Sequence, residues 1–186
     1  MTALEQMTES DFRAAIARAG FQIPGLSEAE IADRMVALAK GELTLKDARG
    51  LSDEAMEGLY AIAYNAFEAG NYDNAQKVLS FLCIFDPSVS KYWLSLGAAR
   101  FRVEDYPSAR DAYAMAFALE RTDPRAPLRI ADCHIATKDF ESARHAAEAA
   151  VQLAGDTPKF AAQRRRAEGM IAMLDRRAAR VSEAVG

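Results

Sequence analysis

The chain has 186 residues, a net charge of −4, 51% apolar residues and 27% charged ones. These are the proportions of an ordinary soluble globular protein, long enough to bury a continuous core. An acidic balance argues against nucleic acid as a partner, because a phosphate backbone is met by a clustered basic face. The one basic run, Arg164-Arg165-Arg166, reads as a solvated helix face.

No apolar run approaches the roughly 20 residues that span a bilayer, and no basic-then-apolar segment opens the chain. Neither membrane insertion nor a signal peptide is expected. Cys83 and Cys133 are the only cysteines. Without metal-ligand spacing they predict buried, inert thiols and a reducing compartment, hence a cytoplasmic protein.

In chain order, Ser10-Asp11 opens a short predicted helix carrying Phe12, Ile16 and Ala19, and Phe21 to Gly25 reads as a break. Ser27-Glu28-Ala29-Glu30 is a capping box. Ile31, Met35 and Leu38 then put one apolar face on a helix that Gly41 ends. So short a helix is marginal alone and must dock, on the repeats or on a second copy. Ser52 caps the next helix, with Asp53 and Glu54 favourable at its positive end. The expected domains are 1–50, a helical region open to self-association, and 51–186, the repeats.

From there a pattern returns at a fixed interval. Gly70-Asn71-Tyr72-Asp73-Asn74-Ala75 is matched by Glu104-Asp105-Tyr106-Pro107-Ser108-Ala109 and by Lys138-Asp139-Phe140-Glu141-Ser142-Ala143. Both steps span about 34 residues, the period of the helix–turn–helix tetratricopeptide repeat. Flanking positions align: Leu59 and Trp93, with Pro127 as a departure in the third unit; Ile62, Leu96 and Ile130; Ala63, Gly97 and Ala131. On the second helices Leu79, Tyr113 and Ala147 coincide, as do Leu82, Ala116 and Ala150. Small residues let the helices of a unit approach, and large ones fill the space around them. The prediction is an all-α solenoid of three repeats, 56–89, 90–123 and 124–157. Thr157 and Pro158 then open a capping helix over 158–182, with Phe160, Ala167, Ile171, Leu174, Ala178 and Val181 on its apolar face.

Catalytic signals are weak. Cys133 and His134 are neighbours, but consecutive helical residues do not face each other. Asp73, Asp105 and Asp139 belong to turns. Glycine-rich phosphate loops and paired metal ligands are absent, so neither an enzyme nor a cofactor is expected. The constellation suited to function is a stripe on the first helix of each unit, the side that lines the concave surface of such an array. Tyr60, Tyr64 and Phe67 fall at i, i+4 and i+7. Equivalent positions carry Leu94, Ala98 and Phe101, then Leu128, Asp132 and Ile135. Arg102 and Arg125 lie near that groove, as do Lys91 and Arg129, and suit a backbone carbonyl or an acid. A groove lined by rings accepts an extended apolar peptide.

Leu59-Tyr60-Ala61-Ile62-Ala63-Tyr64-Asn65, Leu82-Cys83-Ile84-Phe85-Asp86, Leu96-Gly97-Ala98-Ala99 and Pro124-Arg125-Ala126-Pro127 with Ala131-Asp132-Cys133 resemble the class II chaperones of bacterial type III secretion. The resemblance covers roughly residues 28–175. It implies a chaperone of a Gram-negative bacterium whose groove holds a Pro-x-Leu-x-x-Pro segment of a hydrophobic translocator before export. It also implies homodimerisation through the N-terminal helices. Tyr60, Tyr64, Phe67, Leu94 and Leu128 match the family's groove positions. The competing expectation is an adaptor that gathers folded partners.

Overall fold

The computed structural model describes residues 25–185 together with Thr8, Ser10, Arg13, Ala14 and Arg18. The expected helix carrying Phe12, Ile16 and Ala19 lies outside the described residues, as do residues 21–24 of the expected break, while Gly25, its last residue, sits in a turn at φ +84°. Backbone contacts divide the chain into two compact units, residues 1–56 with 84–86, and residues 57–83 with 87–186.

In the first unit, α1 (Glu28–Ala39) begins with the expected capping box. The Ser27 hydroxyl accepts from the Glu30 amide, and the Glu30 carboxylate accepts from the Ser27 amide at 2.8 Å. Ile31 and Val36 are its buried residues, while Met35 and Leu38 are half-buried. Gly41, at φ +72°, closes the helix. A short helix that went unpredicted, α2 (Leu45–Ala48), follows. Its signal is a second capping box, Thr44 with Asp47. Arg34 donates to the carbonyls of Asp47 and Ala48, placing a positive charge on the negative end of α2. Lys46 lies 2.7 Å from Asp53 and 3.3 Å from the buried Asp86. Asp53 and then Asp86 hold its ammonium above the ordinary lysine range.

Six helices make the three repeats: α3 (Asp53–Glu68) with α4 (Tyr72–Phe85), α5 (Ser90–Arg102) with α6 (Tyr106–Leu119), and α7 (Arg125–Ala136) with α8 (Phe140–Ala154). Each pair folds back through the same main-chain geometry. In the first, Gly70 donates to the Phe67 carbonyl at 3.0 Å and Asn71 to Ala66 at 2.8 Å. Glu104 and Asp105 repeat this against Phe101 and Arg100, and Lys138 and Asp139 against Ile135 and His134. Such a closure needs a left-handed residue. Gly70 sits at φ +76°, Glu104 at +65° and Lys138 at +62°. The next residue then caps the second helix. Asn71, Asp105 and Asp139 accept from the amides of Asn74, Ser108 and Ser142. The hexapeptide is thus a stop and a start in one. Asp73 lies one step inside α4 rather than in the turn.

Only glycine takes a left-handed conformation without strain, so the second and third turns carry a penalty the first does not. Glu104→Gly is expected to raise stability by about 0.5–1 kcal/mol, and Gly70→Ala to lower it by about 1 kcal/mol. Urea unfolding of the two variants checks both signs. Unchanged midpoints would sink this account of the turns.

The aligned small residues are all interior: Ala63, Ala131, Ala75, Ala109 and Ala143 are fully buried, and Gly97 is buried. Leu79, Tyr113, Ala147, Leu82, Ala116 and Ala150 are buried opposite them. Tyr113 packs with Ala109 and Cys133, walled by Leu94, Phe101, Tyr106 and Ile130. Phe67 meets Tyr72 edge-on at 5.2 Å, and Phe101 meets Tyr106 in the same way. One aligned position departs. Leu96 is buried and Ile130 half-buried, but Ile62 is 57% exposed, because no repeat precedes the first.

The third repeat begins on prolines. Pro124 is the N-cap of α7 and offers no side-chain hydrogen bond. Asp123 substitutes for it, accepting from the Arg125 amide at 2.8 Å. Pro127 falls in the first turn, where an amide would have had no helical partner. The array ends on a 3-10 turn, Pro158–Phe160, and α9 (Ala161–Val185). Thr157 occupies the cap position without a side-chain bond. Ala167 and Leu174 are buried, with Ala167 set against Leu128 and Ala150. Ala178, expected on the apolar face, is exposed. Polar contacts to α8 replace that face, with Arg144 bonded to Asp175 and Arg177 lying 4.0 Å over the Phe140 ring.

Candidate peptide-binding groove

Two adjoining cavities open within the second unit. The first, about 130 Å³, is walled by Tyr60, Ala63, Tyr64, Phe67 and Glu68 of α3, Leu79 of α4, and Ser95 and Ala98 of α5. The second, about 340 Å³, is walled by Leu94, Ser95 and Ala98 of α5, Tyr113 of α6, Arg125, Leu128 and Arg129 of α7, and Ala162, Gln163 and Arg166 of α9. Ser95 and Ala98 belong to both, so the two form one groove across the first helices of the three repeats.

The heptad-like spacing of α3 sets the first cavity. Tyr60 is half-buried, with its hydroxyl 3.0 Å from the Ser95 hydroxyl and its ring tilted against Tyr92 at 5.6 Å. Lys91 stands 4.9 Å over the Tyr60 ring and is paired with Glu57 at 2.5 Å. Tyr64 is 55% exposed, and Phe67 is half-buried. A residue like Tyr64, large, apolar and half open to water, is what a binding surface presents and a core does not.

Charge is concentrated in the second cavity. Arg125 is held by Asp123 through Nε at 3.0 and 2.8 Å, and by an amino nitrogen at 2.5 Å. Burial alone would push the Asp123 carboxyl up, but the hydrogen bonds from Arg125 outweigh it and hold the group below its usual range. Asp132 accepts two bonds of 2.7 Å from Arg166 and one of 3.3 Å from Arg129. Tyr113, which forms part of the wall, has its phenol raised by burial.

Residues 100–174 match the tetratricopeptide repeat family. The chaperone protein SicA of Salmonella typhimurium is 32% identical over 123 residues, 66% of this chain and 74% of SicA. The Yersinia enterocolitica type III secretion translocator chaperone SycD superposes with a TM-score of 0.67 at 28% identity, over 70% of this chain and 97% of SycD. PcrH of Pseudomonas aeruginosa, solved with the chaperone binding region of PopD, is 33% identical over 69% of this chain and 97% of PcrH, at a TM-score of 0.67. The chain belongs to the class II type III secretion translocator chaperones. SycD has also been solved with a peptide of the translocator YopD and as an alternative dimer.

In this chaperone most of the sequence-predicted groove residues meet as expected by position. Tyr60, Tyr64, Phe67 and Ala98 line one cavity, and Leu94, Ala98, Leu128 and Arg125 the other. Leu128 is almost fully buried and forms a floor rather than a wall. Five expected residues, Lys91, Phe101, Arg102, Asp132 and Ile135, are not among the groove's lining. Phe101 packs in the core against Tyr113 and Tyr106. Arg102 is turned onto the Tyr72 ring, 4.5 Å from its centroid. Asp132 is drawn into its bonds with Arg129 and Arg166.

Ser95, Tyr113, Gln163 and Arg166 went unpredicted. Arg166 belongs to the run read as a solvated face. Helical spacing divides that run, sending Arg164 back to the Gly155 carbonyl, Asp156 and Glu168, and Arg166 to the groove. The chaperone's cysteines are buried and unbonded, with burial pushing both thiols up to about 12. His134 Nδ1 lies 3.1 Å from Asp139, the cap of α8. No helix among the described residues is long and apolar enough to cross a membrane.

Proposed function

We propose that the protein is a cytoplasmic chaperone that holds an extended apolar segment of a type III secretion translocator, keeping it from aggregation and premature association before export. The continuity of the two cavities through Ser95 and Ala98 carries this reading. An extended chain alternates its side chains, so anchors on one side of a segment can enter successive depressions. The exposed ring of Tyr64 and the half-buried rings of Tyr60 and Phe67 supply apolar area with little rotamer loss. Binding alone removes the sticky surface, so neither ATP nor turnover is required. A high-pKa thiol at Cys133 is a poor nucleophile, which agrees with a non-enzymatic role. Residues 1–50 serve self-association, which sedimentation of the full chain checks. A constant monomer mass across concentrations would overturn that element.

Tyr64→Ala combined with Phe67→Ala is expected to weaken a translocator segment by well over 1 kcal/mol, about tenfold or more, as for buried aromatic anchors. Isothermal calorimetry reads the affinity, and far-UV dichroism establishes that the fold is retained. Unchanged affinity in a folded variant would remove these rings from the site.

A further inference from the structure

The groove's two ends differ in chemistry. At the α3 end the walls are aromatic and Glu68 is the one charged residue among the lining, with Lys91, paired to Glu57, over the Tyr60 ring and Arg102 at 5.9 Å over the Phe67 ring. At the α9 end three guanidinium groups, Arg125, Arg129 and Arg166, surround the opening. Their carboxylate partners number two, Asp123 and Asp132, which leaves one positive charge over (3 − 2 = 1). Further out, Lys159 acts on Asp123 and Glu120 on Arg125, with opposite signs. The three arginine side chains are 53%, 50% and 44% exposed, while Asp123 and Asp132 are 9% and 13% exposed. The anions are thus sunk beneath the cations. A guanidinium has five N–H donors, more than these carboxylates engage, so donors remain on the solvent side.

A second observation falls in the same cavity. The Gln163 Oε1 is buried and accepts no hydrogen bond. Such an atom is costly to leave unmet. The terminal amide torsion of glutamine is soft, so a small rotation carries the oxygen toward the cavity, where a donor can satisfy it.

Building on the translocator-binding reading, we infer that the bound segment carries an acidic side chain seated among Arg125, Arg129 and Arg166, with a neighbouring main-chain N–H on Gln163. The groove therefore fixes the direction of the segment, with its acidic side at α9 and its apolar anchors toward α3. Asp132 shows the geometry a carboxylate finds there, since it already bridges two of the three arginines.

The test uses the full chain and fluorescent synthetic peptides of Pro-x-Leu-x-x-Pro pattern. One carries glutamates before the pattern, one carries them after it, and a control has glutamine at every such place. Anisotropy is expected to show one acidic arrangement binding about tenfold tighter than the control at low salt, with the other gaining little. That preference should shrink with salt and largely vanish in Arg166→Gln and in Arg129→Gln, each verified as folded by dichroism. Gln163→Leu should weaken all peptides about threefold while raising Tm, opposite signs that a purely structural role would not give. Equal binding of the acidic and control peptides, or a preference that survives both arginine variants, overturns the inference and leaves the groove intact. If no peptide binds in any form, the translocator-binding reading itself fails and takes the inference with it.

Discussion

Replacing Gly97 with alanine is expected to destabilise the protein by about 2–3 kcal/mol, at the upper end of the range for overpacking a well-filled core. A Cβ at that position would stand 2.6 Å from two carbons of the Tyr113 ring and 2.9 Å from a third. Real Cβ atoms do not approach so closely, so something must move. The ring is only 2% exposed and is packed among Ala109, Cys133, Leu94, Phe101, Tyr106 and Ile130, so it moves only by disturbing them. The neighbouring repeats show why the glycine is there. At the aligned positions they carry Ala63 with Leu79 and Ala131 with Ala147, so only the second repeat has a ring where the others have an aliphatic side chain. Tyr113→Leu in the Gly97→Ala chain should therefore recover much of the loss, even though Tyr113→Leu alone costs about 2 kcal/mol for the cavity it leaves. Urea unfolding followed at 222 nm gives the four stabilities of this cycle. Strict additivity of the two changes would refute the contact.

A second large effect lies at alkaline pH. Burial pushes the Cys83 and Cys133 thiols up to about 12 and raises the Tyr113 phenol. An unfolded cysteine titrates near 8.5. Below that pH both states are protonated and burial has no effect through this route. Above it the unfolded chain releases protons that the folded chain keeps, so stability falls as pH rises. Each group contributes about 1.4 kcal/mol per pH unit until the folded thiol itself ionises. Two thiols between pH 9 and 11 thus remove roughly 5 kcal/mol, a large part of what an ordinary domain has. The urea midpoint is expected to fall steeply between pH 9 and pH 11 at room temperature, under reductant. A chain with both cysteines changed to alanine should be less stable at pH 7 and yet lose stability with a shallower slope. If the two chains fall in parallel from pH 8 to 11, the thiols are not the cause.

The repeat was legible because three copies of one turn obey the same stereochemistry. Gly70, Glu104 and Lys138 share a left-handed backbone although their side chains have nothing in common. Alignment with the glycine is what gives the other two away. The small positions at 63, 97 and 131 were legible for a similar reason, since helices that touch exclude large side chains there. Ile62 was misplaced by the same alignment, which treats every repeat as if another preceded it. The α9 contribution escaped for want of a copy. Spacing divides Gln163, Arg164 and Arg166 among faces of one helix, but no second helix of that kind showed which face meets the groove. Arg102 and Asp132 had the right position and the wrong neighbours. A ring at 72 and a guanidinium at 166 claimed them, and both lie too far along the chain for local pattern to reveal.

The second helices of the repeats are buried largely through alanine: 75, 109, 112, 116, 143, 147, 150 and 154. A methyl group has no rotamers to lose and none to exchange. Helices in contact through such groups have few alternative packings, so this scaffold is a stiff mould rather than an adaptable hand. The ordering on association then falls on the guest, a flexible segment that gives up its own freedom to lie along the mould. Segments already biased toward extension, as proline makes them, surrender least. A rigid host of this kind selects among clients by how little they must be straightened.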